Sequence, residues 1–252
     1  MHDSTERFSD RVANYIKYRP SYPQQVVDTI VAQCQPENQA SVADIGSGTG
    51  IFSKLLLAAG LRVFAVEPNK SMRAAAEQLL SEHARFVSID GQSESTNLTD
   101  GSIDIVTAAQ AFHWFDSEAT KREFARILKP GGHLALVWNQ RQLGQPFQQE
   151  YDTMLRNYAT DYNSANHMNI LHEDLERFAY PEKFIRFEFE NSQQFDLCGF
   201  LGRMQSSSYT PKIGTDEFRV LMKAAEVLFN RYETDGEIGF EYTTRLYIAQ
   251  FP

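Results

Sequence analysis

Cysteine is nearly absent: the 252-residue chain has two, Cys34 and Cys198, in unrelated segments. Such a pair gives neither a disulfide framework nor metal-type spacing, so both are expected to be free thiols. No uninterrupted apolar run approaches the ~20 residues that span a bilayer. The opening Met1-His2-Asp3-Ser4-Thr5-Glu6 is polar and lacks an apolar signal-peptide core, which makes the cytoplasm the expected location. Basic charge is also short, with 24 Lys and Arg against 33 Asp and Glu and a formal charge of −9. That balance argues against a nucleic-acid partner, whose binding rests on a basic surface. An anionic small substrate would have to be met by individual arginines rather than by a general field. Internal repeats and low-complexity segments are missing too. The length suits one large α/β core with a modest addition.

What is present is organised around Val42-Ala43-Asp44-Ile45-Gly46-Ser47-Gly48-Thr49-Gly50. Apolar residues lead into Asp44, and the glycine-spaced turn runs into a helical pattern from Ile51 to Ala59. A buried strand, a Gly-rich turn and a helix let a ligand approach the backbone closely, because glycine has no Cβ and the helix N-terminus offers unpaired N–H donors. Ile51 stands where a G-x-G-x-x-G dinucleotide fingerprint needs its third glycine. This moves the expectation from NAD to another adenosine-bearing cofactor and weighs against an oxidoreductase. The second strand, Arg62 to Val66, ends in Glu67, 17 residues after the last glycine, where such folds accept hydrogen bonds from ribose hydroxyls. Asp90-Gly91-Gln92-Ser93-Glu94, the strand Ile103 to Ala109, Ile127-Leu128-Lys129-Pro130-Gly131-Gly132 and the strand His133 to Trp138 follow in that order.

The ordered set resembles the class I S-adenosylmethionine (SAM)-dependent methyltransferases, and within them the small-molecule group that includes trans-aconitate and ubiquinone-pathway enzymes. The resemblance covers roughly the first 140 residues, which hold all of these motifs. It implies SAM as cofactor and a Rossmann-like, doubly wound α/β sheet of seven strands, mostly parallel with an antiparallel last strand, under a helical cap. It also implies site residues. Tyr15 and Arg19, in a Y-x-x-x-R-P entry pattern, would close over the cofactor, with Arg19 on its carboxylate. Asp44 would orient the turn and the methionine end, beside Gly46, Ser47, Gly48 and Gly50. Glu67 and Pro68 would hold the ribose side, Met72 would pack on the adenine face, and Gln92 and Ser93 would meet the adenine edge. Each has a plainer reading: Asp44 as a turn cap, Met72 as helix core, the opening segment as an arm that only covers the core.

Ala109-Gln110-Ala111-Phe112-His113-Trp114-Phe115-Asp116 reads as the mouth of the site, with Ala109 and Gln110 toward the methionine part of the cofactor. His113 is the neutral-pH acid–base candidate of the central motifs; it could serve as general base, as a donor to substrate, or as a structural residue. Trp114 and Arg141 are substrate-side candidates. Arg203 and Arg245 are further candidates for an anionic group, and His133 reads as structural. His167 and His172, near Glu173 and Asp174, lack firm metal spacing, so no metal is expected.

Alternating strands and helices from Ser41 to Asn139 predict parallel pairing with right-handed crossovers. One domain over 1–252 is expected: lid helices in 1–35, a SAM-binding core over 40–140, cap insertions at 141–182 and 195–235, and final strands at 183–190 and 240–251. Helices are expected at Gln24 to Cys34, Asn69 to Leu80, Glu118 to Leu128 and Thr215 to Tyr232. The expected function is methyl transfer from SAM to a small organic acceptor, a carboxylic acid or a quinol- or phenol-like compound, by a monomer or homodimer. A non-catalytic SAM-binding protein is the alternative.

Overall fold

Short runs of β-branched and small apolar residues make the central strands, as a parallel sheet covered on both faces requires. The computed structural model describes residues 12–36, 40–115, 117–160, 162, 172–180 and 182–251. Its strands are β1 (Ser41–Ile45), β2 (Arg62–Val66), β3 (Phe86–Ile89), β4 (Ile103–Ala109), β5 (Leu128–Arg141), β6 (Ile185–Phe195) and β7 (Ile238–Gln250). They form one seven-stranded sheet in the order β3-β2-β1-β4-β5-β7-β6. Pairing is parallel from β3 through β5, and β7 runs antiparallel to both of its neighbours.

Helices α1 (Val12–Tyr18), α2 (Gln24–Cys34) and α3 (Ile51–Ala58) precede β2, and α4 (Lys70–Leu80) precedes β3. After β4 come α5 (Ser117–Ile127), α6 (Pro146–Tyr158), α7 (His172–Ala179), α8 (Leu197–Gln205) and α9 (Asp216–Tyr232). Side-chain alternation divides each central strand between two cores. Val42, Ile105, Ala135 and Leu246 face α2 and α3 through Val26, Ile30, Phe52 and Leu56. Ala43, Val106, Leu136 and Trp138 face Phe124 of α5 and Phe178 of α7. A third core joins Tyr151 of α6, Phe200 of α8 and Leu221 and Phe229 of α9 to Phe240 and Tyr242 of β7. This is the helical cap, built on the antiparallel end of the sheet.

Several helix starts are fixed by side chains that accept an otherwise unpaired N–H. Asn69 accepts from the Met72 N–H at 2.9 Å, Asp196 from Gly199 at 2.7 Å, and Thr215 from Phe218 at 3.2 Å. Pro146 occupies the first turn of α6, where its missing N–H costs nothing. Asn69 is thus the N-cap of α4.

Two boundaries, the start of β5 and the end of β6, differ most from the sequence expectation. Lys129-Pro130-Gly131-Gly132 belongs to β5 instead of forming a separate turn: Leu128 pairs with Ile103, and the register shifts before His133 pairs with Ile105. Gly131, at φ 80°, carries that irregularity. β6 continues to Phe195, five residues past the expected end at 190, because its polar stretch Asn191 to Gln194 pairs with β7 as an edge strand. Residues 1–11 of the expected lid, Asp116 beside α5 and His167 lie outside the described residues.

Candidate functional site

The strand order reverses between β1 and β4: the chain runs outward through β2 and β3 and returns to β4 on the other side of β1. Ligands of open α/β sheets bind in the crevice at the strand C-termini where this happens. Both segments that leave these two strands carry backbone with positive φ. Gly46, Gly48 and Gly50 lie at 68°, 57° and 82°, and Gln110 at 58°.

The three glycines are needed for different reasons. A Cβ on Gly46 would meet that of Ala111 at 2.6 Å, and one on Gly50 would meet Leu80 Cδ1 at 2.6 Å, so both serve packing. A Cβ on Gly48 would have only the Tyr15 ring near it, at 4.0 Å, so its bare face opens into the cleft. Glu67 ties the turn to the next helix: its carboxylate accepts from the N–H of Gly48 and of Asn69, both at 2.8 Å.

A first pocket of about 480 Å³ lies over this turn, lined by Tyr15, Arg19, Asp44, Ser47, Ala109 and Gln110 among others. Asp44 is buried and accepts from Ser53 Oγ at 2.6 Å and Thr107 Oγ1 at 3.0 Å. Burial pushes its carboxyl up to about 6 despite those hydrogen bonds. Glu67 is likewise raised by burial, against its two N–H donors. Two carboxyls disfavoured as anions make this end of the cleft a good host for positive charge. Ser47 Oγ, Gln110 Oε1 and Arg19 Nε are buried polar atoms with no hydrogen-bond partner among the described residues. Buried polar atoms want partners, and acceptors for Arg19 and donors for Gln110 are what a zwitterionic ligand brings.

The loop after β3 is stiffened from behind. Glu123 of α5 accepts from Thr96 N–H and Oγ1 at 2.7 and 2.6 Å and from Arg126 at 2.7 and 2.8 Å. Burial opposes its ionisation, but the Arg126 and Thr96 hydrogen bonds outweigh this and bring its carboxyl down to about 2. On that loop Ser93 is buried and donates to Glu94 at 2.6 Å, while the side chain of Gln92 is exposed. Met72 is buried in the first turn of α4, and Pro68 is half-buried beside Glu67. The expected cofactor residues therefore fall into two groups, those that line the first pocket and those that flank the Glu67 end.

A second pocket, about 660 Å³, continues from the first under the cap. Tyr15, Arg19, Pro20 and Gln110 line both. His113 and Trp114, on a single 3₁₀ turn after β4, line its wall with their rings 4.7 Å apart. Arg141 ends β5 and is buried, paired with Asp152 at 3.3 Å and hydrogen-bonded to Tyr162. Arg203 of α8 is buried and lines the same space, with Tyr209 and Tyr242. Arg245 does not join it; it pairs with Glu188 across the β6–β7 ladder at 2.9 Å. Asn139, Tyr162, Tyr209 and Tyr242 were not expected at the site. Only Asn139 had a signal, its place next to the end of the predicted fifth strand.

His133 pairs within the sheet, and burial lowers it. Cys34 is pushed up to about 12 by burial, and both cysteines are free. Among the described residues no cluster of three His, Cys, Asp or Glu could hold a metal, and no helix is long and apolar enough to cross a membrane.

Residues 43–136, from β1 into β5, match the methyltransferase domain family. An uncharacterised methyltransferase of Mycobacterium tuberculosis is 38% identical over 139 residues, 55% of this chain and 54% of that one. An uncharacterised methyltransferase-like protein of Schizosaccharomyces pombe is 32% identical over 159 residues, 61% of this chain and 59% of that one. The chain thus spans little more than half the length of the curated relatives it matches. Among solved structures, a protein of Anaeromyxobacter dehalogenans proposed to be a type II methyltransferase aligns over 93% of this chain and 97% of its own, with a TM-score of 0.66 and 22% identity. Phosphoethanolamine N-methyltransferase 2 of Haemonchus contortus, solved with phosphomonomethylethanolamine and S-adenosylhomocysteine, aligns over 97% of this chain and 57% of its own, with a TM-score of 0.58 and 15% identity. The structural likenesses establish a Rossmann-like fold, shared with these solved proteins.

Proposed function

We infer from the methyltransferase domain of residues 43–136 that this chain is a SAM-dependent methyltransferase acting on a small organic acceptor. The observation that carries it is the pair of pockets joined through Tyr15, Arg19, Pro20 and Gln110, one over the glycine turn and one under the cap. Two pockets sharing a wall suit a cofactor and an acceptor that meet there. A zwitterionic methionine end matches Asp44 at one side and Arg19 Nε at the other, and ribose hydroxyls match the Glu67 carboxylate. Met72, Pro68, Gln92, Ser93 and the Gly46–Gly50 turn complete the proposed cofactor site, and His113, Trp114 and Arg141 the acceptor side.

Bound SAM supplies a methyl group already activated on a sulfonium. The protein's task is then to hold a nucleophile in line with that methyl and to exclude water, and positioning of this kind can supply most of the rate. Tyr15 and Arg19 cover the junction, their guanidinium and ring stacked at 5.0 Å. A carboxylate acceptor needs no base at neutral pH. A phenol or quinol would give its proton to His113, which lines the second pocket. The second pocket's lining of tyrosines and arginines supports the small-molecule group suggested by the motifs, that of trans-aconitate and ubiquinone-pathway enzymes.

The test is release of S-adenosylhomocysteine from SAM in the presence of metabolite extracts split into acidic and phenolic or lipid fractions, with Gly48→Val as the control. Turnover in one fraction that the variant loses is the expected result. Tight SAM binding without turnover in any fraction would favour a non-catalytic SAM-binding protein, and failure to bind SAM would remove the reading altogether.

A further inference from the structure

Positive charge is concentrated on the cap side of the cleft. Arg141 and Arg203 are buried, Arg19 is half-buried, and all three line the second pocket. Asp152, which pairs with Arg141, is also bound by Arg156 at 2.7 Å. Among the described residues no carboxylate pairs with Arg19 or Arg203. Their hydrogen bonds go to neutral oxygens: Arg19 donates to the Ser206 carbonyl at 3.0 Å and Arg203 to Ser207 Oγ at 3.1 Å. Arg19 Nε, Arg141 Nη1 and Arg203 Nε are buried donors with no acceptor among the described residues.

A buried guanidinium without an anion is strongly unfavourable, and such groups are kept where a ligand completes them. The cofactor's carboxylate can answer for Arg19, which lies at the junction. Arg141 and Arg203 line only the second pocket, so a further anion has to come with the other ligand. Tyr209 reports the same field. Burial would raise its phenol, yet Arg203, Arg141 and Arg19 together hold it below the ordinary value.

Resting on the methyltransferase reading, we propose that the acceptor is a bifunctional organic acid, anchored through one anionic group by Arg141 and Arg203 and methylated at a second atom. The reacting atom must belong to a group other than the anchored one, because guanidinium donors occupy the lone pairs and neutralise the charge of the group they bind, which makes it a poor nucleophile. The reacting end instead reaches toward the Tyr15–Gln110 junction. There its lone pair bonds to the methyl carbon as the carbon–sulfur bond breaks and the electron pair returns to sulfur. A carboxylate nucleophile leaves as a neutral ester with no proton to move, whereas a hydroxyl or amine also loses a proton, for which His113 is at hand. Simple phenols and quinols without an acidic group are excluded as substrates.

Calorimetric titration of the full chain, alone and loaded with S-adenosylhomocysteine, tests this with succinate, malate, glutamate and 4-hydroxybenzoate, each against its neutral methyl ester or amide. At least one acid is expected to bind, with its neutral counterpart weaker by about tenfold or more, the scale of a hydrogen bond to a charged group. Arg203→Gln should weaken that acid about tenfold while leaving S-adenosylhomocysteine affinity unchanged, and Arg203→Lys should recover part of the loss. Binding of none of the acids, or equal binding of the neutral compounds by the unaltered protein, would overturn the proposal whatever the variants do. A loss of acid and S-adenosylhomocysteine binding to the same degree in a folded Arg203→Gln would overturn the role of that residue. If S-adenosylhomocysteine does not bind, the methyltransferase reading fails, while the acids still report on the arginine pocket in the chain alone.

Discussion

Asp44 sits where two demands conflict: the core around it favours a neutral carboxyl, and the cleft it faces suits an anion. Its folded value of about 6 lies above the ~3.9 of an unfolded aspartate, so the native state holds its proton more tightly. Between those two pH values the native carboxyl is still protonated when the unfolded one is not. Stability therefore falls as pH rises from about 4 to about 6, by on the order of 3 kcal/mol. Asp44→Asn should flatten that slope, read from urea unfolding at successive pH values. A cationic ligand beside Asp44 favours the ionised form, so SAM affinity should increase as pH rises toward 6 and level off above it. The glycines allow a second contrast. Gly50→Ala, clashing with Leu80, should lower stability by about 1–3 kcal/mol. Gly48→Val, at φ 57° and projecting into the cleft, should abolish SAM binding at a cost in stability of about 1–3 kcal/mol. Melting curves and SAM titrations of both variants separate the two roles. At this scale the glycine turn and Glu67 were legible because backbone geometry demands particular residue types at fixed spacing. The choice between two cap-side arginines was not: Arg203 and Arg245 looked alike in sequence, and only the packing of α8 against β7 and the Glu188 ladder partner tell them apart.

Helix α1 shows how an element can be held by one missing side chain. It lies against α8, where a Cβ on Gly202 would come within 2.1 Å of the Tyr18 ring. Asn14 donates to Gln205 at 3.1 Å, Gln193 to the Tyr18 carbonyl at 3.3 Å, and Arg19 to Ser206, so α8 and β6 clamp the segment that covers the first pocket. Gly202→Ala should push Tyr18 away and loosen that segment, costing about 1–3 kcal/mol of stability. It should also raise the SAM dissociation rate measured by stopped flow. An unchanged rate would show that α1 is only a cover for the core. The helices and parallel strands were readable from apolar period and caps, as with α2 and α4. β6 was cut short because Asn191 to Gln194 have no apolar signature; their place in the sheet comes from β7, a partner distant in sequence.

At the scale of the molecule, the cap and the sheet share a strand. Phe240 and Tyr242 belong to the cap core, and Leu246 and Ile248, further along β7, to the sheet core. Disturbing one half of β7 is transmitted to the other, so urea unfolding followed by tryptophan fluorescence and by helix signal should give coincident midpoints. Leu246→Ala should shift both together, by about 2–5 kcal/mol. Two separated transitions would show that the cap folds on its own.

The sheet order carries a further consequence for how the chain is made. β7 is the last strand in sequence, yet it is inserted between β5 and β6 rather than added at an edge. While the ribosome has still to deliver residues 238–250, one side of β5 has no partner and β6 has no sheet to join. The second pocket also lacks Tyr242 until then. Between the delivery of β5 and that of β7 the growing polypeptide therefore carries an open, aggregation-prone strand edge, and neither the sheet nor the second pocket can close before residues 238–250 have emerged.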